Sequence, residues 1–437
     1  MKWYHIADKT AEKRIEEIVH RGLRIRKKDL AAVEKILADV KRNGDQAVLS
    51  YTRRFDASDM TVESIRVTPE EFKAARNRIS PGFLKSLKTA KAQIEAFHRL
   101  QRPRSFIHAE REGTFLGQLV RPVDRAGVYV PGGAAGKTPL VSSVLMGVIP
   151  ARIAGVPEVV MVTPPTPDGS VNPHLLAAAQ TAGADAVFKA GSAWGIAALA
   201  YGTGTIPKVD VIVGPGNVYV TAAKKLLTGE VGIDMIAGPS EILILADESA
   251  DPEFIAADLL SQAEHDVLAS AMLITDSREL ADQVSKTVEG RLNTLERKAI
   301  ARDALERYGL ILVVPDLSTA FDLSNRIAPE HLELLIEDPM AHLSRIRHAG
   351  AVFVGPYSPE PMGDYIAGPN HVLPTAGTAR FASSLSVDHF IKKTSLIYYS
   401  RKAFLREAKS VMKLASIEGL SAHCQSVAAR LKNLKNR

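Results

Sequence analysis

Short apolar strands alternate with helical stretches from about residue 120 to 356, and this alternation constrains the fold more than any other feature. A first block begins with the predicted strand GVYV at 127–130 and continues with EVVMVTP, AVFKAG and VDVIVGPG. A second block, from about 241 to 356, contains EILILAD, SAMLITDS, GLILVVP and AVFVGP. Strands separated by helices of about 10–15 residues indicate βαβ units and parallel sheets. We therefore predict an α/β protein with two Rossmann-like parallel-sheet domains that face a cleft.

The segments outside the two blocks have helical patterns. The run LAAVEKILADVKRNG predicts a helix that ends at Gly44, and a second helical region at 69–101 is interrupted by Pro81. The last forty residues are also predicted to be helical and are basic. We predict four parts: an N-terminal helical arm (1–25), a discontinuous first α/β domain (26–125 with 244–385), a second α/β domain (126–243) and a C-terminal helical dimerisation region (386–437).

The composition excludes several classes of protein. The single cysteine excludes an internal disulfide and a cysteine-cluster metal site. The net charge is +6, but the basic stretches at 21–28 and 99–104 contain no interleaved aromatic residues, which favours solvated helix faces over nucleic-acid binding. No run reaches about 18 apolar residues, and the charged N-terminus lacks the apolar core of a secretory signal. We expect a cytoplasmic protein that binds neither membranes nor nucleic acid.

Two glycine-rich motifs nearly match nucleotide-binding patterns. PGGAAGKT at 131–138 resembles a phosphate-binding loop, but Pro131 replaces the required first glycine, so a turn lining a ligand cleft is the better interpretation. GPGNVY at 214–219 begins like a dinucleotide fingerprint but has Tyr219 where a small residue belongs. Gly-Pro pairs at 214–215, 238–239 and 355–356 are predicted just past strand ends, where open α/β sheets bind ligands.

Polar residues in the second block suggest a site. Gln262 and His265 in SQAEHD are three residues apart, which would place them on one helix face and suit two ligands of one metal. Glu330 and His331 in IAPEHLEL, predicted to open a helix, could activate water and move a proton. Each pair also has a simpler interpretation: a polar surface turn for the first, and a capping glutamate beside an incidental histidine for the second. With Asp364 and His423 added, the set would suit zinc, although manganese or cobalt also accept such ligands.

Several long stretches, taken together, resemble the histidinol dehydrogenase family. They include VDVIVGPGNVYVTAAKK, GIDMIAGPSEILILAD, LLSQAEHD, AGAVFVGPYSPEPMGDYIAGPNHVLPT and IEGLSAH, and they occur in order from about 120 to 425. The resemblance implies a cytoplasmic, homodimeric, NAD-dependent enzyme with one zinc per subunit. It would oxidise L-histidinol twice, through L-histidinal to L-histidine, in the last steps of histidine biosynthesis.

The same resemblance implies roles for individual residues. Glu330 would activate water and His331 would act as general base, while the zinc would orient the substrate. The zinc ligands would be Gln262, His265, Asp364 and, from the partner subunit, His423. The implied substrate contacts are Ser240, Gln262, His265, His331, Asp364, His371, Glu418 and His423. The implied cofactor contacts are Tyr129, Trp194 and Asn217.

This chain departs from the usual family pattern at two places. Trp194 occupies a position where the family often has a glutamine that contacts the cofactor, so the contact would change to ring stacking, or Trp194 would simply fill space. The loop after Gly133 is longer than in many members. Cys424 is interpreted as a packing residue rather than a nucleophile. The alternative functions are oxidation of another hydroxylated metabolite such as a sulfonated diol, zinc-dependent hydrolysis with Glu330 as base, and non-catalytic binding.

Overall fold

The computed structural model describes residues 3–20, 25–132 and 138–435. The predicted turn at 133–137, including the longer loop after Gly133, lies outside these residues. By its contacts the chain divides into two compact units, one formed by residues 1–101 and 123–390 and the other by residues 102–122 and 391–437. Within the described ranges, no helix is both long enough and apolar enough to span a membrane.

The elements follow one another in the order that the sequence predicts for an α/β chain. The strands are β1 (Trp3–His5), β2 (Phe106–His108), β3 (Thr114–Pro122), β4 (Arg125–Tyr129), β5 (Glu158–Thr163), β6 (Ala186–Lys189), β7 (Val211–Val213), β8 (Gly232–Ile233), β9 (Glu241–Ala246), β10 (Ser270–Thr275), β11 (Leu310–Val313), β12 (His331–Leu335), β13 (Ala351–Val354) and β14 (Ile391–Tyr399). The helices are α1 (Lys9–Val19), α2 (Lys27–Asn43), α3 (Asp45–Phe55), α4 (Pro69–Asn77), α5 (Pro81–Leu100), α6 (Val141–Ala154), α7 (Pro173–Ala182), α8 (Ser192–Tyr201), α9 (Val218–Leu227), α10 (Pro252–Ala263), α11 (Arg278–Leu292), α12 (Lys298–Tyr308), α13 (Leu317–Ile327), α14 (Glu360–Tyr365), α15 (Arg401–Ile417) and α16 (Ser421–Lys435).

The first parallel sheet of the large unit has, among the described residues, five strands in the order β6-β5-β4-β7-β8. Its apolar strands are buried on both faces, as the unbroken runs EVVMVT and VIV predict. Helices α8 and α9 cover one face, and α2 packs against both of them. Ile196, Leu199 and Val33 belong to the apolar core that joins these helices to the sheet. We call this the five-stranded sheet.

The second parallel sheet has six strands in the described part of the chain, in the order β1-β11-β10-β9-β12-β13. Strands β9 to β12 are buried along their whole length, and β1 joins the edge of the sheet by pairing with β11. Leu259 of α10 and Val284 of α11 pack in the core on one face, while Ile15 of α1 and Phe321 of α13 pack in the core on the other. We call this the six-stranded sheet.

The small unit contains an antiparallel sheet of described strands in the order β14-β3-β2, together with α15 and α16. Strand β14 pairs with β3 over residues 391–399 and 114–122, and α15 packs against α16. This corrects the prediction that residues 386–437 are helical throughout, because the helices begin only at Arg401. The β-branched and aromatic residues of IKKTSLIYY favour a strand, although most of its positions are exposed.

The predicted α/β class with its two parallel sheets is confirmed, whereas the segments predicted to be helical at the two ends also contain the strands β1 and β14. The break at Pro81 is also confirmed, since Ser80 caps α5 and Pro81 is its first residue. The predicted domain boundaries remain a prediction, but the contacts assign two segments in another way. Residues 27–55 pack with the five-stranded sheet, and residues 3–19 supply a strand and a helix to the six-stranded sheet.

Candidate active site

Glu330 and His331 lie at the amino end of β12, an interior strand of the six-stranded sheet. The prediction that they open a helix is wrong, because His331 is already paired with Ile242 of β9 and Ala351 of β13. All five residues of HLELL are buried, as expected for a strand with neighbours on both sides. Both side chains are therefore fixed at the start of a buried strand that is paired on both sides.

The backbone of Glu241, the first residue of β9, holds both side chains. Its N–H donates to Glu330 Oε2 at 2.9 Å, and its carbonyl oxygen is 2.8 Å from His331 Nδ1. A carbonyl oxygen only accepts, so Nδ1 carries the proton of the neutral imidazole, and Nε2 is left as the acceptor. Burial lowers the pKa of His331 to about 4, so the ring is neutral near pH 7.

Glu330 is the second titratable group of this pair. Burial raises its pKa well above the ordinary value, and the nearby acids Glu241, Asp364 and Glu360 raise it further, against the hydrogen bond from the Glu241 amide. A carboxylate with a raised pKa is a stronger base, and Glu330 Oε2 is 3.8 Å from His331 Nδ1. The two residues thus form a buried pair of possible proton acceptors at the start of one strand.

Gln262 and His265 lie at the end of α10 and are in contact. The helix ends at Ala263, so His265 belongs to the following turn rather than to the predicted helix face. Gln262 Nε2 is 3.2 Å from His265 Nδ1, and within the described ranges no group hydrogen-bonds the buried Gln262 Oε1. Burial lowers the pKa of His265, while Asp364 and Glu264 oppose that shift. A buried amide oxygen without a partner is expected to meet a ligand.

Asp364 and His371 are two further polar residues of the candidate site. Asp364 lies in the short helix α14, not in the predicted loop, and its Oδ1 is 3.6 Å from His371 Nδ1. Burial would raise the pKa of Asp364, but His371 and His331 outweigh it and hold that pKa below the ordinary value. His371 Nε2 is buried, and none of the described residues bonds it.

The structure adds a carboxylate that the sequence analysis missed, Glu360. One ligand atom each from His331, Glu360 and Asp364 lie within 4.8 Å of one another, a spacing that fits a metal ion. Glu360 and Asp364 are four residues apart on α14, and this i, i+4 spacing was a usable signal in PEPMGD. Behind them, Glu333 follows His331 on the same strand face and accepts the Glu360 N–H at 2.9 Å.

The implied cofactor contacts lie at the carboxyl end of the five-stranded sheet. Tyr129 ends β4, is buried, and accepts a hydrogen bond from the Ser192 N–H at 3.1 Å. Asn217 caps α9 by accepting from the N–H groups of Tyr219 and Val220. These positions follow strands β4 and β7, as the sequence predicts.

Trp194 is buried in α8 and is already surrounded by aromatic and polar partners. Its indole N–H donates to Thr52 Oγ1 at 3.1 Å, and the rings of Tyr51 and Phe55 stack on it with centroids at 5.8 and 5.6 Å. Only 5% of the residue is exposed. These contacts favour the space-filling alternative over stacking on a cofactor.

The remaining predicted residues are divided between the units. Ser240 directly precedes β9, next to the backbone that holds Glu330 and His331, and its carbonyl accepts from the Ser270 N–H. In the small unit, Glu418 caps the end of α15, and His423 is in the first turn of α16. Cys424 donates to the Met412 carbonyl at 3.2 Å, which fits a packing role.

The family follows from comparison with known sequences. The sequence model of histidinol dehydrogenase matches residues 21–431. This chain belongs to the histidinol dehydrogenase family. It is 56% identical over 402 residues to the histidinol dehydrogenase of Desulfotalea psychrophila, covering 92% of this chain and 93% of that protein. It is 51% identical over 431 residues to that of Synechococcus sp., covering 98% of each.

A solved structure agrees with the sequence comparison. The crystal structure of histidinol dehydrogenase from Elizabethkingia anophelis is similar with a TM-score of 0.93 at 38% identity, and the match covers 100% of this chain and 99% of that one. Membership of the histidinol dehydrogenase family identifies the chain as an oxidoreductase of histidine biosynthesis. The likeness extends over both parallel sheets and the small unit.

Proposed function

We propose that this protein oxidises L-histidinol through L-histidinal to L-histidine, with NAD⁺ as the oxidant in both steps. The observation that carries the proposal is the buried pair Glu330–His331, held on one backbone residue and facing the cluster of Gln262, His265 and Asp364. A family member with this acid–base pair has the groups that each oxidation needs: a base for the alcohol and a base for water.

The donors at this site fit a zinc ion. Gln262 offers an amide oxygen that is buried without a described partner, His265 an imidazole nitrogen of lowered pKa, and Asp364 a carboxylate held in its charged form. Oxygen and nitrogen donors without a thiolate suit zinc, with manganese and cobalt as weaker alternatives. When bound, the metal supplies a fixed positive centre that orients the imidazole and amine of the substrate.

His331 performs the proton transfer of the first oxidation. Its Nε2 accepts the proton of the substrate hydroxyl as hydride leaves the carbinol carbon for the nicotinamide, giving the aldehyde. The Glu241 carbonyl stabilises the imidazolium that forms, because Nδ1–H already donates to it. The depressed pKa of His331 keeps the ring neutral and ready to accept.

Glu330 performs the additional step of the second oxidation. It takes a proton from water as the water oxygen attacks the aldehyde carbon, and it returns a proton to the former carbonyl oxygen, which gives the hydrate. His331 then removes a hydrate proton as the second hydride leaves, and the product is a carboxylate. The overall reaction consumes one water and two NAD⁺ and yields two NADH. The raised pKa of Glu330 makes it a stronger base for this purpose.

The turn between β7 and α9 fits a dinucleotide. Gly214 has φ of 112°, and a Cβ on Gly216 would come within 2.4 Å of Val220, so only glycines allow this tight strand-to-helix turn. In addition, the N-cap residue of α8 is Gly191, which has no capping side chain, and the Ser192 N–H of the first turn bonds the Tyr129 hydroxyl at the same sheet edge. NAD⁺, when bound, accepts the hydride.

The small unit supports a homodimer in which the partner subunit's His423 and Glu418 complete the site. Apolar side chains on α15 are exposed in the single chain, among them Val411, Leu414 and Ile417. A row of exposed apolar residues on a helix indicates a protein interface. Size measurement in solution, with and without a charged substitution such as Leu414→Glu, tests this part of the proposal.

One assay tests the main proposal. Purified protein with zinc, L-histidinol and NAD⁺ should produce two NADH for each histidine formed, and chelation should abolish turnover. A single NADH per turnover would remove the second oxidation. Turnover of a sulfonated diol in place of L-histidinol would favour the alternative substrate, and hydrolysis of an ester or amide without NADH would favour a zinc hydrolase.

A further inference from the structure

A buried ion pair holds one residue, Gly214, from both sides. Lys224 Nζ donates to the Gly214 carbonyl at 2.7 Å, and Asp234 Oδ2 accepts from the Gly214 N–H at 2.8 Å. The two charged groups also meet each other, with Lys224 Nζ 2.5 Å from Asp234 Oδ1. Their side chains are 4% and 0% exposed. We call this group the Gly214 clamp.

Gly214 links two of the implied cofactor-contacting residues, because it touches the backbone of Tyr129 and precedes Asn217 by three residues. A Cβ at Gly214 would lie 2.1 Å from the carbonyl oxygen of Tyr129, so the two backbones are in direct contact. Three residues later, Asn217 caps α9. Any shift of Gly214 therefore changes the position of Asn217 relative to Tyr129.

The clamp is a poor device for stability alone. Two buried charges must be removed from water, and replacing such a pair by apolar residues is often neutral or stabilising. Yet each charge here also makes a charge-assisted hydrogen bond to the same glycine, and such bonds are the strong, directional ones. Because Lys224 lies on α9 and Asp234 directly follows β8, the clamp ties the turn to elements on both of its sides.

We propose that Lys224 and Asp234 are positioning residues for NAD⁺ binding, which act through Gly214 by fixing the turn that presents Asn217 beside Tyr129. The inference rests on the proposed use of NAD⁺. The catalytic pair belongs to the other sheet and is held by Glu241, so loss of the clamp changes the binding of the cofactor and leaves the proton transfers in place.

The test replaces both charges at once, because a single replacement leaves an unpaired buried charge and endangers folding. In Lys224→Met/Asp234→Leu both bonds to Gly214 are lost. Lys224→Met/Asp234→Asn is the conservative variant, since an asparagine oxygen can still accept from the Gly214 N–H. The matched control is Lys189→Met/Glu71→Leu, which removes another ion pair of the same sheet with a lysine that is also 4% exposed.

Two quantities are measured: the Kd for NAD⁺ by calorimetry without L-histidinol, and the Km values for NAD⁺ and L-histidinol. Lys224→Met/Asp234→Leu should raise the Kd and Km for NAD⁺ about tenfold, the Asn variant about threefold, and the control less than about twofold. The Km for L-histidinol and kcat at saturating NAD⁺ should stay within about twofold in all three.

The outcomes separate the two proposals. If either Lys224/Asp234 variant is folded and its affinity for NAD⁺ is unchanged, the proposed role of the Gly214 clamp is overturned. An equal loss in the control shows a general effect of ion-pair removal and also overturns it. If the leucine variant does not fold, the asparagine variant decides. A wild-type protein that neither binds NAD⁺ nor forms NADH overturns the proposed function itself.

Discussion

The residues proposed to function on the two parallel sheets lie at opposite edges: carboxyl strand ends in one sheet and amino strand ends in the other. In the five-stranded sheet, Tyr129 and Asn217 follow the carboxyl ends of strands, the usual place for ligands in open α/β sheets. In the six-stranded sheet, Glu330, His331 and the backbone of Glu241 lie at the amino ends of β12 and β9. The Gly-Pro pair at 238–239, predicted to follow a strand of this second block, in fact comes just before β9.

The carboxyl edge of the six-stranded sheet explains this difference. An acidic residue follows each of four strands: Asp247, Asp276, Asp316 and Glu337. Burial and then the surrounding acids raise the pKa of Asp276, a sign of crowded negative charge. The helices that begin here are capped by their own side chains, as Asp316 does for α13. Such an edge repels phosphates and offers them few N–H groups.

Under the proposed roles, the strand-end rule applies to the sheet that would bind the phosphates and not to the sheet that carries the proton-transfer pair. Phosphates bind well at helix N-termini, which lie at carboxyl strand ends, where no negative charge surrounds them. A proton-transfer pair instead needs side chains that are fixed in position and buried. The amino end of an interior strand such as β12 meets both requirements. We therefore expect substitutions at the two edges to affect different kinetic constants.

The largest expected effect is at the amino edge of the six-stranded sheet. His331→Asn should lower kcat for both oxidations by about 10²–10⁴, because the general base is lost. Glu330→Gln should lower mainly the second oxidation, since only that step needs activated water. The measurement is single-turnover NADH formation from L-histidinol and, separately, from L-histidinal. Wild-type rates of Glu330→Gln on L-histidinal would exclude the proposed role, and the affinity for NAD⁺ should be unchanged in both variants.

A second prediction concerns the pH dependence of the rate of L-histidinal oxidation, in which Glu330 is the proposed base. Glu330 acts as a base only when ionised, and its raised pKa means that the ionised fraction grows as pH rises. Oxidation of L-histidinal should therefore accelerate with pH above the ordinary carboxylate range. Glu330→Gln should remove this rise while leaving a slower, flatter profile. A parallel profile in the variant would assign the titration to another group.

A third prediction concerns the metal ligands beside the catalytic pair. Asp364→Ala and Gln262→Ala should each lower zinc affinity strongly, and the partner subunit's His423 should behave in the same way if the site is shared. Removal of an outer partner already costs about 10–100-fold in metal affinity, so loss of a direct ligand should cost more. Competition with a chromogenic chelator measures this without reference to activity. Unchanged zinc affinity in Asp364→Ala would exclude this residue from the site.

The sequence predicted the fold class well because its signals are local. Buried parallel strands read as unbroken apolar runs, and helix ends are marked by residues such as Ser80 and Gly44. Strand β14 was missed because seven of its nine residues are exposed, so it lacks the buried apolar run that marks the other strands. The packing of residues 27–55 on the five-stranded sheet depends on contacts distant in sequence, which no local pattern reports.

The site was predicted through resemblance more than through spacing. Spacing alone gave the wrong element for Glu330 and His331, since EHLEL fits a helix start as well as a strand start. It also passed over Glu360, although its i, i+4 spacing from Asp364 could have indicated it, because the Gly- and Pro-rich segment was interpreted as a loop. The role of the Glu241 backbone had no signal at all, because strand pairing brings it to His331 from 90 residues away.

A fourth prediction tests whether Trp194 belongs to the core or to the cofactor edge. Trp194→Ala should lower the free energy of unfolding by about 3–5 kcal/mol, with an unchanged Km for NAD⁺. Trp194→Phe keeps a ring against Tyr51 and Phe55 but loses the bond to Thr52, so about 1 kcal/mol is expected. A raised Km for NAD⁺ in Trp194→Ala without loss of stability, and quenching of Trp194 emission by NAD⁺ in a Trp3→Phe background, would instead favour cofactor stacking.

The smallest expected effect concerns the buried carboxyl group beneath the amino edge. Burial, followed by repulsion from Asp258, raises the pKa of Glu333 to about 9. Between the ordinary carboxylate pKa of about 4.3 and that value, the folded state binds more protons than the unfolded state, so stability falls as pH rises. The slope from one such group is at most about 1.4 kcal/mol per pH unit.

Glu333→Gln removes this titration while an amide oxygen can still accept the Glu360 N–H. Denaturant unfolding of metal-free protein at several values between pH 5 and 9 should therefore give a flatter stability profile for the variant than for the wild type. Glu360 and Asp258, with pKa values raised to about 8 and about 6 mainly by burial, leave a residual slope of the same sign. Identical slopes in the two proteins would mean that Glu333 is already ionised in the fold. The fall of stability with rising pH would then come from Glu360 and Asp258 alone, and Glu360→Gln is the variant that would reveal it.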